Sequence, residues 1–187
     1  MAETRIILDT NAYFRLAQSI RPLLNTAFGK QNFTLYVLKE LQVEYDKNPR
    51  LTNRFAWVND PEYVSNRSQR LALKAKEKSE IKRAYDFILD YVRNVHPGVS
   101  KVDVLALAHA ELLAIPVVTD DDEMRQAAKD YGIKTLKTLE LLKLMLDCNH
   151  IDMAKVREIA GYWAYFKDIP KSFKADFKKL FGEGPPQ

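Results

Sequence analysis

The sequence predicts an α/β fold, a three-layer α/β/α sandwich around a central parallel sheet, and three observations support this prediction. Short apolar runs alternate with stretches of helical periodicity from residue 5 to about residue 146. The runs are continuously apolar, as in strands that are buried on both faces. The one proline in these runs, Pro116, stands near the start of its run, where a missing N–H is tolerated.

The same patterns place the individual elements. Strands are predicted at four apolar runs: Arg5–Leu8, Leu35–Val37, Ile115–Val118 and Ile133–Leu136. Helices are predicted at Tyr13–Ala17, Ile20–Phe28, Leu38–Tyr45, Lys101–Ala114, Asp122–Tyr131 and Thr138–Leu146, and a long helical region is predicted at 68–95. Residues 50–66 are expected to be irregular.

These elements divide the chain into two parts. We expect a core domain over residues 1–147, with a helical insertion at about 50–95. Residues 148–187 are expected to form a basic, aromatic C-terminal extension that packs on the core. The extension carries a local net charge of +4 between Lys155 and Lys179, and the insertion carries +5 between Arg67 and Arg83. With a net charge of +4 overall, both segments point to a polyanionic partner.

Composition narrows the class of protein. The single cysteine, Cys148, cannot form an internal disulfide, which favours a reducing compartment. No apolar run reaches the roughly 20 residues that a membrane span needs, and the start of the chain does not resemble a signal peptide. We therefore expect a cytoplasmic protein without a membrane-spanning segment. The sequence also lacks the glycine-rich loops that bind nucleotides.

Acidic residues stand where predicted strands end. Asp9 follows the first strand, and Asp120, Asp121 and Asp122 follow the Ile115–Val118 strand. Ligands bind beyond the carboxyl ends of strands in open parallel sheets. Two further acids, Glu40 and Asp103, lie on predicted helices in apolar surroundings. Each acid taken singly also fits a structural role, such as a helix cap or a solvated helix charge.

Clustered carboxylates are unfavourable unless cations neutralise them. Oxygen ligands without thiolates or imidazoles select Mg²⁺ or Mn²⁺ over zinc. Such ions activate water and stabilise charge on a phosphodiester. Asp9, Glu40, Asp103 and the acids Asp120–Asp122 are therefore candidate metal ligands.

The order and context of these acids resemble the motifs of PIN-domain nucleases, a group that includes VapC-like toxins. The resemblance covers about residues 4–146. Four segments carry it: Ile6-Ile7-Leu8-Asp9-Thr10-Asn11, Val37-Leu38-Lys39-Glu40-Leu41, Val99–Ala108 around Asp103, and Val117–Met124 with its Thr-Asp-Asp-Asp.

The resemblance implies an endoribonuclease that cleaves single-stranded RNA with Mg²⁺ or Mn²⁺. It makes Asp9, Glu40, Asp103 and Asp121 the catalytic metal ligands. Asn11, Thr119 and Asp120 become supporting residues, and a slip of one residue at the strand exit would exchange Asp120 with Asp121. Many small members are toxins of toxin–antitoxin pairs and homodimers, so an antitoxin partner and a homodimer are expected with them.

The chain departs from compact toxins in its inserted basic helix and its C-terminal extension. Within the insertion, Arg67, Arg70 and Lys74 are candidate RNA-binding residues, although a basic run is also typical of a solvated helix face. A catalytically silent PIN-like RNA-binding or assembly module is the alternative function. Receiver domains and haloacid-dehalogenase-like phosphatases are excluded at their first motif, because Asn11 replaces the acid that a phosphatase needs there and no acid pair follows the first strand.

Overall fold

The structure, a computed structural model, describes residues 3–186. Within that range the strands are β1 (Thr4–Leu8), β2 (Phe33–Tyr36), β3 (Val117–Val118) and β4 (Thr135–Leu136). The helices are α1 (Thr10–Leu16), α2 (Glu40–Lys47), α3 (Pro49–Arg54), α4 (Pro61–Ser68), α5 (Ala75–Val95), α6 (Lys101–Leu113), α7 (Asp122–Asp130), α8 (Thr138–Asp147), α9 (Met153–Tyr165) and α10 (Phe173–Phe181). A 3₁₀ turn covers Ala56–Asn59.

The four strands form one sheet in the order β2-β1-β3-β4, and every pairing is parallel. The chain moves outward from β1 to β2 on one side and continues through β3 to β4 on the other. The strand order therefore reverses between β1 and β3, which is where a doubly wound sheet opens a crevice for ligands. Asp9 directly follows β1 on one side of this point. On the other side, Thr119 and then the acids Asp120–Asp122 follow β3.

Alternate side chains of β1 enter two separate apolar cores, as strand geometry requires. Ile6 and Leu8 pack in one core with α1, α2 and α8–α10. Ile7 packs in the other with α5, α6 and α7. Helices thus cover both faces of the sheet, and the predicted α/β/α sandwich with a parallel sheet is confirmed.

Two segments differ from the sequence prediction. Residues 20–28 form bends and irregular backbone instead of a helix. The left-handed backbone of Asn25 (φ 60) is incompatible with a continuous helix. Residues 50–66, predicted to be irregular, instead contribute to α3, the 3₁₀ turn and α4. Both of these helices begin with proline at the first position, where its absent N–H is harmless.

The C-terminal helices complete the first core rather than lying on its outside. Val156, Ile159 and Trp163 of α9 and Phe173 and Phe177 of α10 are all buried with side chains of β1, α1 and α8. The Trp163 indole N–H also donates to the backbone carbonyl of Arg15 (2.9 Å). Within residues 3–186, none of the helices has the length and apolar character to cross a bilayer.

Candidate active site

Asp9 lies at the carboxyl end of β1 and is the N-cap of α1. Its Oδ1 accepts the backbone N–H of Ala12 (2.5 Å), and its own N–H donates to Val118 of β3 (3.0 Å). These contacts fix the carboxylate at the reversal point of the sheet. Only 6% of the residue is exposed. A carboxylate so deeply buried beyond the end of a strand is unusual for a helix cap, which solvent normally reaches.

Asp103 faces Asp9 from the first turn of α6. Ser100 and Asp103 form the reciprocal capping box that the sequence indicates: Asp103 accepts the Ser100 N–H (3.1 Å), and its own N–H donates to the Ser100 hydroxyl (3.1 Å). The capping role and a role in the site are thus compatible. Asp9 and Asp103 together line a cavity of about 10 Å³, walled by Leu8, Thr10, Leu38, Leu41, Val102 and Ala106.

The two acids after β3 have different partners. Asp120 accepts the Arg15 guanidinium (2.7 Å), the Thr138 backbone N–H (3.0 Å) and the Thr138 hydroxyl. Asp121 is exposed and caps α7 by accepting the Met124 N–H (2.7 Å). Asp120 is thus paired with a cation, whereas Asp121 is exposed to solvent.

Thr119 and Asn11, the expected supporting residues, differ in position. Thr119 is fully buried between the two sides of the site. Its side chain hydrogen-bonds Asp9, and its Oγ1 accepts the Asp121 backbone N–H (3.1 Å). Asn11 lies in the first turn of α1 and is exposed. Thr119 thus links the Asp9 side chain to the backbone N–H of Asp121.

Glu44, which the sequence analysis did not select, lies on the site side of α2. Its Oε2 accepts the hydroxyl of Thr10 (2.6 Å), the residue after Asp9, and its charge acts on Asp103. Glu40, one turn earlier, lies 3.8 Å from Lys39 and lines a neighbouring cleft together with His109. Glu44 lies beyond the motif-like segment that contains Glu40, and the helical spacing of four that separates the two glutamates was the available signal.

The electrostatics of the site favour cation binding. Burial raises the pKa of Asp9 to about 7, against the hydrogen bonds from Thr119 and Ala12, and the charges of Asp103 and Asp120 raise it further. Burial likewise raises the pKa of Asp103, and Glu44 and Asp121 add to the effect. A bound cation would relieve both the desolvation and the repulsion that these carboxylates experience.

The residues fit a magnesium-type ion in chemistry and in number. Every candidate donor is a carboxylate or hydroxyl oxygen, which is the ligand type of Mg²⁺ and Mn²⁺. Within the described part of the chain, no three acidic, histidine or cysteine side chains converge on one point. Mg²⁺ commonly uses one or two carboxylates and keeps several waters. Asp9 and Asp103, which line one small cavity, would supply those carboxylates.

A basic cleft of about 940 Å³ opens beside the acidic cavity, and Leu38 lines both. Its apolar floor is formed by Leu71, Leu73, Ile81, Tyr85 and Leu105, and its cations are Lys39, Arg70, Lys78 and Lys82.

The three candidate RNA-binding residues differ in their surroundings. Arg70 is exposed and lines the cleft, whereas the Arg67 guanidinium turns inward to Tyr13, Gln42 and the Val58 carbonyl. Lys74 is the exposed N-cap of α5, where Glu77 accepts its backbone N–H (2.6 Å). Of the three, Arg70 lines the cleft, and it forms no ion pair with any described residue. Arg67 instead connects the insertion to the core through its hydrogen bonds.

Comparisons with known proteins add little to this picture. No protein-family profile matches the chain, and no curated protein matches it. Among solved structures, one match is the crystal structure of FitAcB from Neisseria gonorrhoeae, with 16% sequence identity and a TM-score of 0.44. It covers 72% of this chain and 98% of that chain. A likeness at this level carries no weight for the function, which has to be argued from the site itself.

Proposed function

We propose that this chain is a metal-dependent endoribonuclease of the PIN-domain kind, with Mg²⁺ or Mn²⁺ held at Asp9 and Asp103. The observation that carries the proposal is the burial of Asp9 at the reversal point of the sheet, with Asp103, Asp121 and Glu44 around it. The sequence resemblance to PIN nucleases supports the same assignment independently of the fold comparison.

The residues of the site have distinct tasks in such a reaction. A bound divalent ion supplies an activated water and charge stabilisation at the scissile phosphate. Asp9 and Asp103 would hold the ion, and Thr119 would orient Asp9 through its hydroxyl. Glu44 and Asp121 would accept hydrogen bonds from water at the site, and the Thr10 hydroxyl keeps the Glu44 carboxylate in place. The apolar wall of Leu8, Leu38 and Leu41 limits access of bulk solvent.

The neighbouring cleft suits a single-stranded polynucleotide. Exposed Arg70, Lys78 and Lys82 can each contact a phosphate, and the apolar floor with Tyr85 can contact a base. The opening of this cleft next to the acidic cavity would lead a bound strand across Asp9 and Asp103. This arrangement favours RNA hydrolysis over the alternative of a silent binding module.

The direct test is cleavage of labelled single-stranded RNA by the purified full chain with Mg²⁺, Mn²⁺ or EDTA. We expect cleavage that requires the metal and is lost in Asp9→Asn, a substitution that preserves the helix cap. RNA that binds but is not cut under any metal condition would favour the silent RNA-binding module instead.

A matched pair of variants tests the composition of the site. We expect Glu44→Gln to lower the cleavage rate by about 100-fold or more, comparable with the loss of a positioned acid–base group. Glu40→Gln, the same change one helical turn away, should retain most of the activity. The reverse pattern would return Glu40 to the site and displace Glu44.

The finer expectations extend this proposal. A role as the toxin of a toxin–antitoxin pair, with a cognate antitoxin and a homodimeric state, follows from the sequence resemblance alone. Light scattering on the full chain measures the oligomeric state. Loss of viability on expression in cells, with recovery in the Asp9→Asn variant, is the result expected of a toxin.

A further inference from the structure

The end of α9 carries an aromatic cluster that the fold leaves in solvent. Tyr165 is 81% exposed and Phe166 is 51% exposed, whereas Trp163 of the same helix is buried. The rings of Tyr165 and Phe166 lie 5.0 Å apart and nearly perpendicular, at 81°. Tyr162 supports Phe166 from the other side at 4.5 Å. The Tyr162 hydroxyl in turn donates to Gln18 (2.6 Å), so the cluster is anchored to the turn that follows α1.

Three ion pairs connect the segment after this cluster to the acidic site. Arg15 binds Asp120 at 2.7 Å and Asp168 at 3.2 Å, so one guanidinium joins the acid after β3 to the residue two positions beyond Phe166. A few residues later, Lys171 binds Asp122 at 2.9 Å. The segment between α9 and α10 therefore lies along the rim of the site.

The charges around the cluster indicate what it contacts. Lys167, Lys171 and Lys174 are exposed in the same segment, and Arg54 approaches Asp168 at 3.4 Å. Three lysines therefore lie within eight residues after Phe166, and Arg54 contacts the same segment; Lys171 and Arg54 are paired with Asp122 and Asp168. Exposed aromatic rings close to cations are typical of surfaces that bind single-stranded nucleic acid, where bases stack and phosphates pair with the cations. A protein-binding apolar patch would be depleted in charge at its centre.

We propose that Tyr165 and Phe166 form a stacking platform for bases of single-stranded RNA at the rim of the carboxylate site. This inference rests on the proposed ribonuclease function and specifies how its substrate is held. The platform engages unpaired bases only, since bases within a duplex already stack on each other. It therefore makes single-stranded RNA the preferred substrate over a duplex of the same sequence.

The test separates binding from cleavage. Binding of a fluorescent single-stranded oligonucleotide is measured in EDTA for the full chain and for a Tyr165→Ala/Phe166→Ala double variant. A second oligonucleotide of the same length carries abasic sites over most of its positions. Phe87→Ala serves as the control, since Phe87 is an exposed aromatic residue (71%) on α5. Phe166→Tyr serves as the conservative variant.

We expect the double variant to bind the complete oligonucleotide about 5- to 100-fold more weakly, as for loss of one or two stacked bases. Its affinity for the abasic oligonucleotide should not change, and Phe87→Ala and Phe166→Tyr should bind like the wild type.

Three results would overturn the inference. These are unchanged binding in the double variant, an equal loss on both oligonucleotides, and a change only in oligomeric state, which would make the cluster a protein interface. Cleavage with Mn²⁺ is measured separately. Absence of cleavage by a wild type that binds RNA through these rings would contradict the proposed function and leave the platform standing.

Discussion

Two features of the metal-free protein raise the pKa of Asp9. Its side chain is buried, and the negative charges of Asp103 and Asp120 act on it. Its pKa of about 7 stands well above the ordinary value of about 3.9. The folded state therefore holds a proton on Asp9 in a pH range where the unfolded chain has lost it.

This difference predicts how stability depends on pH. Below about pH 4 the carboxyl is protonated in both states. As the pH rises from about 4 to 7, the unfolded chain binds fewer protons than the folded one, so the free energy of unfolding falls. The loss is complete above pH 7 and is on the order of 4 kcal/mol, at about 1.4 kcal/mol per pKa unit. Asp103 changes the stability in the same direction, since its pKa is also raised.

Urea unfolding in EDTA between pH 4.5 and 8 measures this effect. We expect Asp9→Asn to lose less stability than the wild type over that range and to be the more stable protein at pH 8. Mn²⁺ should stabilise the wild type at pH 8, and the variant much less. Parallel pH profiles for the two proteins would contradict the assigned pKa.

Sequence reasoning reaches some residues of the site and misses others for physical reasons. Asp9 and Asp103 are set by local features, a strand end and a capping box, and both lie on the small cavity. The choice between Glu40 and Glu44 depends on how α2 is rotated against α6. Only the packed structure determines that rotation.

At the scale of elements, the helices after residue 150 are part of the core. Trp163 is 1% exposed, and its indole N–H is bonded to α1. The sequence predicts an extension that packs on the core through its aromatic residues, and Trp163, Phe173 and Phe177 are buried in that core.

We expect Trp163→Ala to lower the free energy of unfolding by about 3–5 kcal/mol, since it opens a large cavity and leaves the Arg15 carbonyl unpaired. Tyr165→Ala, two residues later but exposed, should change it by less than about 0.5 kcal/mol. Chemical denaturation of both variants provides the comparison. A small effect of Trp163→Ala would mean that α9 is dispensable for the core.

Element boundaries follow the sequence closely where a cap or a period is strong. The α6 prediction of Lys101–Ala114 agrees with Lys101–Leu113 because Ser100 and Asp103 close a box at its start. The 20–28 stretch has helical periodicity but is not helical. Its irregular backbone places the side chains of Leu23 and Leu24 in the core.

At the scale of the whole molecule, opposite charges are separated in space. The acids gather at the carboxyl edge of the sheet, while the cations of the insertion line the cleft beside them. A negatively charged strand is attracted by the cleft and repelled by the metal-free acids. Substrate binding and metal binding should therefore support each other.

Salt dependence tests the contribution of the cleft. For single strands, the logarithm of the binding constant falls with the logarithm of salt concentration by about 0.7 per phosphate contact. An Arg70→Ala/Lys78→Ala/Lys82→Ala variant should therefore reduce this slope by about 2. A variant with Lys30, Lys129 and Lys134 changed to alanine removes the same charge outside the cleft and should leave the slope nearly unchanged. Equal slopes in the two variants would argue for diffuse attraction by net charge.

The shared guanidinium of Arg15 has a consequence for synthesis of the protein. The Arg15 guanidinium that pairs with Asp120 also pairs with Asp168. Trp163 and Phe177 are part of the apolar core in which α1 packs. A chain still emerging from the ribosome has made Asp9, Asp103 and Asp121 before it has made these partners. Under the proposed function, catalytic competence should therefore arrive only after the residues through Phe177 have left the ribosome, which would protect the message and the ribosome from a partly made nuclease.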